Sequence, residues 1–345
     1  MQCRKCLMDS TADEFQPTDT GCNFCDRAEQ SLREIKGERV KLDLITTLIK
    51  DDGKDQEFDV LMGLSGGLDS STTVDWAVKQ GLRILAFTLD NSYNTPEADN
   101  NVKVLVEKLD LIHKVIRVDQ EIYTKLQNSF FIAGVRNCEI PTDHILMAVS
   151  LKLAKENDIK WILSGGNSVS ESIMPESWGA NARDLTHIKD IFYKAYPEED
   201  LNILPTCSIW EWNHYKHDCN IQTFYPLDYL EYNLKESKEY LEKEYGWQDY
   251  GEKHEESIFT GWFQNKFLPT RWGIDKRKAH LSSLIVAGQL TREEGLKILE
   301  QPAKDFKFPV EALREDDLFG YERHEHSDYA IETWYEDIAN MIKNK

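Results

Sequence analysis

The segment that most constrains this chain is Leu64-Ser65-Gly66-Gly67-Leu68-Asp69-Ser70-Ser71. It stands between a short apolar run, Phe58 to Leu64, and a stretch from Ser70 to Gln80 that suits a helix. Two glycines at a strand-to-helix turn let the backbone approach an anion with no Cβ in the way. Backbone N–H groups, the hydroxyls of Ser65, Ser70 and Ser71, and the positive end of the helix then converge on phosphate oxygens. Asp69 cannot bind phosphate directly, so its expected role is to hold a magnesium ion. No Gly-Lys-Ser/Thr follows, which excludes a Walker loop.

The pattern around this loop alternates strand and helix. Apolar runs at 82–89, 113–118 and 161–164 read as strands, and 102–109 and 142–157 as helices. Short apolar runs of this kind suit parallel strands buried on both faces. The expected fold class is α/β, a doubly wound, mostly parallel sheet with ligands at the carboxyl ends of its strands. Thr142 reads as the N-cap of the long helix. Thr291-Arg-Glu-Glu294 reads as a capping box opening a C-terminal helix. The expected organisation is a cysteine knuckle at 1–27, a helix and charged linker at 28–57, the loop-bearing domain at 58–185, and a helical, aromatic-rich region at 186–345. With 345 residues, this is one large domain or two ordinary ones.

Cys3, Cys6, Cys22 and Cys25 have the spacing C-x2-C, fifteen residues, C-x2-C. Two such knuckles supply four sulfurs for a closed, tetrahedral zinc site, which has no open position for catalysis. So short a segment does not hold its shape without such a staple. The alternatives are two disulfides or four unrelated cysteines. Cys138, Cys207 and Cys219 are far apart in sequence and read as small buried hydrophobes. The balance of 41 basic and 61 acidic residues, a net of −20, repels phosphate backbones, so no nucleic-acid partner is expected. No apolar run approaches the ~18 residues that span a bilayer. MQCRKCLMDS lacks the apolar core of a signal peptide. The chain therefore reads as soluble and cytoplasmic, with no membrane partner, in a compartment where cysteines bind metals rather than form disulfides.

Ser65-Gly-Gly-Leu-Asp-Ser70 resembles the pyrophosphate loop of the ATP pyrophosphatases, which cleave ATP to AMP and pyrophosphate. GMP synthetase, asparagine synthetase and the tRNA thiolation enzymes share that loop and an adenine nucleotide alpha hydrolase-like fold. Leu163-Ser-Gly-Gly-Asn167 follows a later strand, where these enzymes close the nucleotide site. The C-terminal third carries Gly251-Glu-Lys-His-Glu-Glu-Ser257, Phe267-Leu-Pro-Thr-Arg-Trp-Gly-Ile-Asp-Lys-Arg-Lys-Ala-His280 and Ala287-Gly-Gln-Leu-Thr-Arg-Glu-Glu294. With the N-terminal knuckle, the chain resembles the N-acetyl sugar amidotransferases of bacterial surface-polysaccharide (lipopolysaccharide O-antigen) biosynthesis over nearly its whole length.

The resemblance implies an amidine-forming reaction. The oxygen of a sugar N-acetyl group attacks the α-phosphorus of ATP, pyrophosphate leaves, and ammonia then displaces AMP to give an acetamidino group. The expected substrate is a nucleotide-linked N-acetyl sugar, and the expected cofactors are ATP, magnesium and structural zinc. Nucleotide binding falls to Leu64, Ser65, Gly66, Gly67, Asp69, Ser70 and Ser71, to Thr88 and Asp90 at the end of the second strand, and to Gly165, Gly166 and Asn167. Asp69, Lys276 and Arg277 are the catalytic candidates, the two cations stabilising charge on departing pyrophosphate. Asp143, His144, Lys253, His254, Glu256 and Arg271 are candidates for the sugar substrate. For Asp90, Lys276, Arg277, Lys253, His254 and Glu256 an exposed turn or helix start explains the residue equally well, and Lys278 reads as solvated.

Ammonia has no evident source within the chain. Residue 2 is Gln, Cys3 belongs to the knuckle, and no glycine-flanked elbow surrounds Cys138, Cys207 or Cys219. A separate glutaminase subunit is the expected partner. The alternatives are a tRNA-thiolating enzyme and a nucleotide-binding scaffold without activity. The acidic balance and the lack of a C-x2-C at Cys138 argue against the first, and retention of Asp69 with the whole loop argues against the second.

Overall fold

The structure, a computed structural model, describes residues 1–309 and 321–331. Five strands form one parallel sheet of order β3-β2-β1-β4-β5: β1 (Val60–Gly63), β2 (Ile84–Asp90), β3 (Ile112–Arg117), β4 (Trp161–Leu163) and β5 (Gln222–Phe224). Alternate residues of the inner strands feed two separate cores. Leu61, Leu85, Phe87 and Ile162 enter one, and Val60, Met62, Ile84, Ala86, Trp161 and Leu163 enter the other. Burial on both faces is why these strands read as unbroken apolar runs.

The second core is covered by α2 (Leu42–Gly53), α3 (Leu68–Lys79), α4 (Pro96–Lys108) and α11 (Leu234–Tyr245), and the first by α5 (Gln120–Ala133), α6 (Ile140–Glu156) and α8 (Leu185–Ala195). The remaining helices are α1 (Asn23–Glu38), α7 (Ser168–Glu171), α9 (Ile209–Asn213), α10 (Pro226–Tyr229), α12 (Ile258–Trp262), α13 (Leu268–Trp272), α14 (Arg277–Val286) and α15 (Arg292–Glu300). No helix among the described residues is long and apolar enough to cross a membrane.

Several expected boundaries move, for local reasons. The segment expected as one helix from residue 28 is split, because a 3-10 turn at Arg39–Lys41 separates α1 from α2. The helix after β2 starts at Pro96 rather than 102, since the Thr95 hydroxyl caps Ala98 N–H at 3.2 Å and Pro96 opens the first turn. Thr142 is not a helix cap. Pro141, which has no N–H to satisfy, sits in the first turn of α6 and starts the helix earlier. The Thr142 hydroxyl instead lies 2.6 Å from that of Tyr123. The fifth strand comes from the segment expected to be helical. Thr291 and Glu294 do form a capping box, at the start of α15.

The N-terminal knuckle rests on the C-terminal helices. Leu7 N–H donates to Ser282 Oγ at 3.0 Å, and Lys278 pairs with Asp9 at 2.6 Å. Lys278 is thus a knuckle contact rather than a solvated cation. Arg292 Nε, opening α15, donates to the Cys6 carbonyl at 3.2 Å.

Candidate active site

Strand order reverses between β1 and β4, so their carboxyl ends bound a crevice where doubly wound sheets take ligands. A cavity of ≈ 720 Å³ opens there, lined by the loop after β1, the loop after β4, the end of β2 and the segment 250–260. The two loops touch. A Cβ on Gly165 would lie 2.8 Å from Ser70 N, and one on Gly66, whose φ is +77°, would lie 2.2 Å from the Ala98 carbonyl oxygen. Only glycine fits either position. The Gly66 carbonyl accepts from Asn101 Nδ2 and Trp247 Nε1, both at 3.1 Å, and Leu68 N–H donates to Tyr250 Oη at 3.0 Å. The loop is therefore anchored from behind, while Ser65, Gly67, Asp69 and Ser70 face the cavity.

Asp69 stands in the first turn of α3 and accepts hydrogen bonds from Tyr232 Oη and, at 2.6 Å, from Lys253 Nζ. Lys253 also reaches Glu171 and Ser170 Oγ, each at 3.0 Å. Burial works against the Lys253 charge, but Asp69 and Glu171 together hold the ammonium above its ordinary range. The cation beside the loop is thus Lys253. His254 has a left-handed φ of 68° and lies 3.8 Å from Glu171, with its ring edge on His280. Burial, then Lys253, keeps the His254 imidazole neutral, well below the usual histidine range. Strain of this kind persists where the surroundings over-determine it. Glu256 lines the cavity against Gly67, and burial pushes its carboxyl up to about 7. Asp143 faces the same cavity and is pushed up to about 7, first by enclosure and then by Glu139.

A raised carboxyl has a thermodynamic consequence. The folded state holds the Glu256 proton to about pH 7, whereas the unfolded chain releases it near its ordinary value. Stability therefore falls as pH rises through that window. Glu256→Gln is expected to unfold at a higher temperature than the parent. The difference should open between about pH 4.3 and 7 and level off above that at about 2–5 °C. Thermal unfolding across pH 4–8 checks this, and parallel curves for the two proteins would refute it.

The structure brings Leu64, Ser65, Gly67, Asp69, Ser70, Thr88, Asp143, Gly165, Gly166, Lys253, His254 and Glu256 onto one cavity. Thr88 donates to the Leu64 carbonyl at 2.7 Å and so ties β2 to the loop. Other expected residues serve the fold. Gly66 supports the loop from beneath, and the Ser71 hydroxyl is turned onto the Gly67 carbonyl at 2.7 Å. Asp90 pairs with Arg117 at 3.2 Å and accepts from Ser92 N–H at 3.3 Å. Asn167 caps α7 by accepting from Ser170 N–H at 3.0 Å.

His144 is a core histidine with both ring nitrogens used. Nδ1 donates to the Ala182 carbonyl at 2.7 Å, Nε2 accepts from Cys207 N–H at 3.1 Å, and burial lowers its pKa to about 4. Arg271 donates to the Tyr321 carbonyl and is buried away from the cavity. Lys276 is neutralised by Glu139 at 2.9 Å, and Arg277 by Asp275 at 2.8 Å. Neither cation lines the cavity. Tyr232, Tyr250 and Glu171 are site residues that no sequence motif marks. Glu171 alone had a signal, being in the short helix that follows the second glycine loop.

The four N-terminal cysteines converge as their spacing predicts. All are buried, and their sulfurs lie within 4.8 Å of one another, with contacts of 3.7, 3.8 and 3.9 Å. A Zn–S bond of about 2.3 Å implies a tetrahedral edge of about 3.8 Å, so the cluster fits that ion. Lys5 and Cys6 N–H groups donate to Cys3 Sγ at 3.3 and 3.4 Å, as thiolate ligands require.

Two families match different parts of this chain. Residues 59–188 match the family described as Queuosine biosynthesis protein QueC, and residues 256–331 match the LPS biosynthesis protein WbpG-like, C-terminal domain. The chain is similar to a 7-cyano-7-deazaguanine synthase of Prochlorococcus marinus (strain AS9601), 27% identical over 129 residues, 34% of this chain and 58% of the relative. It is also similar to tRNA-specific 2-thiouridylase MnmA 2 of Fusobacterium nucleatum subsp. nucleatum, 24% identical over 113 residues, 31% of this chain and 33% of the relative. The chain thus spans between a third and somewhat over half of the length of these relatives. Among solved structures, the NH3-dependent NAD synthetase from Campylobacter jejuni superposes with a TM-score of 0.31 at 18% identity, over 40% of this chain and 58% of that one. NMN synthetase from Francisella tularensis gives a TM-score of 0.32 at 19% identity, over 67% and 93%.

Proposed function

We propose that the chain is an N-acetyl sugar amidotransferase of the pyrophosphate-loop ATP pyrophosphatase superfamily, and that it converts a sugar N-acetyl group into an acetamidino group at the expense of ATP. One arrangement carries this reading. The segments that match two different families close on a single cavity: 59–188 supplies the glycine loop, and 256–331 supplies Glu256, Ser257 and Thr260.

The acetamido oxygen attacks the α-phosphorus of ATP, and the bond to pyrophosphate breaks. Loss of the amide proton leaves an O-adenylyl imidate. Ammonia adds to its carbon and AMP departs with the C–O bond, leaving N–H where oxygen was. Adenylation is needed because an amide is a poor electrophile and its oxygen a poor leaving group. The loop amides, with the hydroxyls of Ser65 and Ser70, receive the pyrophosphate, and the Lys253 ammonium offsets its developing charge. Asp69 and Glu171 outnumber Lys253 by one negative charge, so a cation entering with the triphosphate suits this end of the cavity. Asp69 would hold a magnesium ion there, and the ion would supply further neutralisation of the leaving group. Asp143 and Glu256, whose raised carboxyls face the cavity, are the groups we assign to taking the proton from the amide or an ammonium ion.

A thiolation reading requires a reactive cysteine at the cavity, and none of the lining residues is one. Burial raises the Cys138 thiol well above its ordinary range and the Cys207 thiol to about 12.

Incubation with ATP, magnesium, ammonium and a panel of nucleotide-linked N-acetyl sugars tests the proposal. The expected result is AMP and pyrophosphate in equal amounts, with a product lighter by the difference between O and N–H. Glutamine is expected to support the reaction only when a separate glutaminase subunit is added, while free ammonium works better as pH rises and more of it is unprotonated. AMP formation independent of any N-acetyl sugar would overturn the reaction. Robust use of glutamine by the pure chain would overturn the two-subunit arrangement.

A further inference from the structure

The same cavity has a second cationic wall that adenylation does not use. Arg183, in the turn before α8, lines it together with Trp212 of α9, Lys216 of the π-helical turn His214–Asp218, and Tyr225 just after β5. The Arg183 guanidinium lies over the Trp212 indole, 5.0 Å from the ring centroid. A guanidinium stacked in this way presents its N–H fork edgewise, the orientation that suits phosphate oxygens. Lys216 is half-buried, and no carboxylate pairs with it among the described residues. Arg183 is the charged group that acts on it, and with burial it pushes the ammonium below the usual lysine range. Tyr225 continues the wall to the loop after β4, where a Cβ on Gly166 would lie 3.2 Å from its ring.

Two cations thus stand on one wall of the cavity beside aromatic rings, with the Arg183 charge acting on a half-buried lysine. An anion at this wall meets both cations, and the rings next to it offer a face to a base or sugar.

We propose that Lys216 and Arg183 form a second anion subsite, which binds the diphosphate of a nucleoside diphosphate group on the second substrate while ATP occupies the glycine loop. The subsite rests on the proposed reaction for its purpose, but its test does not require turnover.

The protein is first saturated with α,β-methylene-ATP to fill the loop end. It is then titrated calorimetrically with uridine diphosphate, with uridine and with inorganic pyrophosphate. Uridine diphosphate is expected to bind without displacing the analogue, and more tightly than either fragment. Lys216→Gln and Arg183→Gln are each expected to weaken it by about tenfold or more while leaving affinity for the analogue within about twofold. Displacement of the analogue, equal binding of uridine, or unchanged binding to both variants would overturn the subsite. Pyrophosphate binding as tightly as uridine diphosphate would overturn its nucleoside part. If uridine diphosphate binds as expected but no nucleotide-linked N-acetyl sugar yields AMP, the reaction fails and the subsite stands. If AMP forms while the variants keep the parent KM for the sugar, the subsite fails and the reaction stands.

Discussion

Asp69→Asn is expected to lower the rate of pyrophosphate release by at least about 100-fold while the sheet stays folded. The two halves of this prediction have separate grounds. Asparagine keeps the size and an acceptor oxygen for Tyr232, but it loses the charge that faces Lys253 and would hold a divalent cation. Removing one partner of a buried pair usually destabilises a fold because a charge is left without compensation. Here Lys253 retains Glu171 at 3.0 Å, so no bare ammonium is created. Circular dichroism and thermal unfolding should therefore stay close to the parent while pyrophosphate release collapses. Turnover within a few-fold of the parent at saturating magnesium would remove Asp69 from the chemistry. Lys253→Met is the complementary change. It leaves Asp69, Glu171 and Glu256 facing the cavity with no cation between them, and it should slow the same step.

The second large effect concerns the knuckle. The purified protein is expected to contain one zinc per chain, and Cys22→Ser is expected to lose it. Zinc binding by four thiolates is worth on the order of 10–16 kcal/mol in isolated peptides, and that free energy is what folds them. In this chain the knuckle has further support from Ser282, Lys278 and Arg292, so its loss reaches beyond residue 27. Loss of the ion should loosen the contact with α14 and α15, lower the unfolding temperature, and expose the N-terminal segment to protease. The glycine loop lies on another part of the fold, so molecules that remain folded should keep their turnover. Elemental analysis that finds no zinc in the parent would overturn this reading. A Cys22→Ser protein that unfolds at the parent temperature would overturn the structural role.

Much of the site was legible because its signals are short-range. The Ser65–Ser70 loop carries its own explanation: a glycine with φ of +77°, a helix start, and hydroxyls within one turn. The same holds for the C-x2-C knuckles, for the strand runs that fill both cores, and for the Thr291–Glu294 cap. In each case the residues that interact are either a few positions apart or identical in kind, so order along the chain specifies them.

Pairing of charges is another matter. The basic run Lys276-Arg277-Lys278 offered the obvious cations for a leaving pyrophosphate, yet each is taken by an acid: Arg277 by its near neighbour Asp275, and Lys276 and Lys278 by Glu139 and Asp9, which lie far off in the sequence. Lys253, outwardly a turn residue, meets Asp69 across 184 positions. His144 looked available because it neighbours Asp143, but successive helical residues point in directions about 100° apart, so one enters the cavity and the other the core. The sequence alone determined a phosphate-binding loop on a parallel sheet and a four-thiolate knuckle. Which cation serves the loop, and which wall is left for a second anion, was decided by tertiary packing. A side chain's charge is local, but the opposite charge that neutralises it is chosen by whatever the fold brings within about 4 Å.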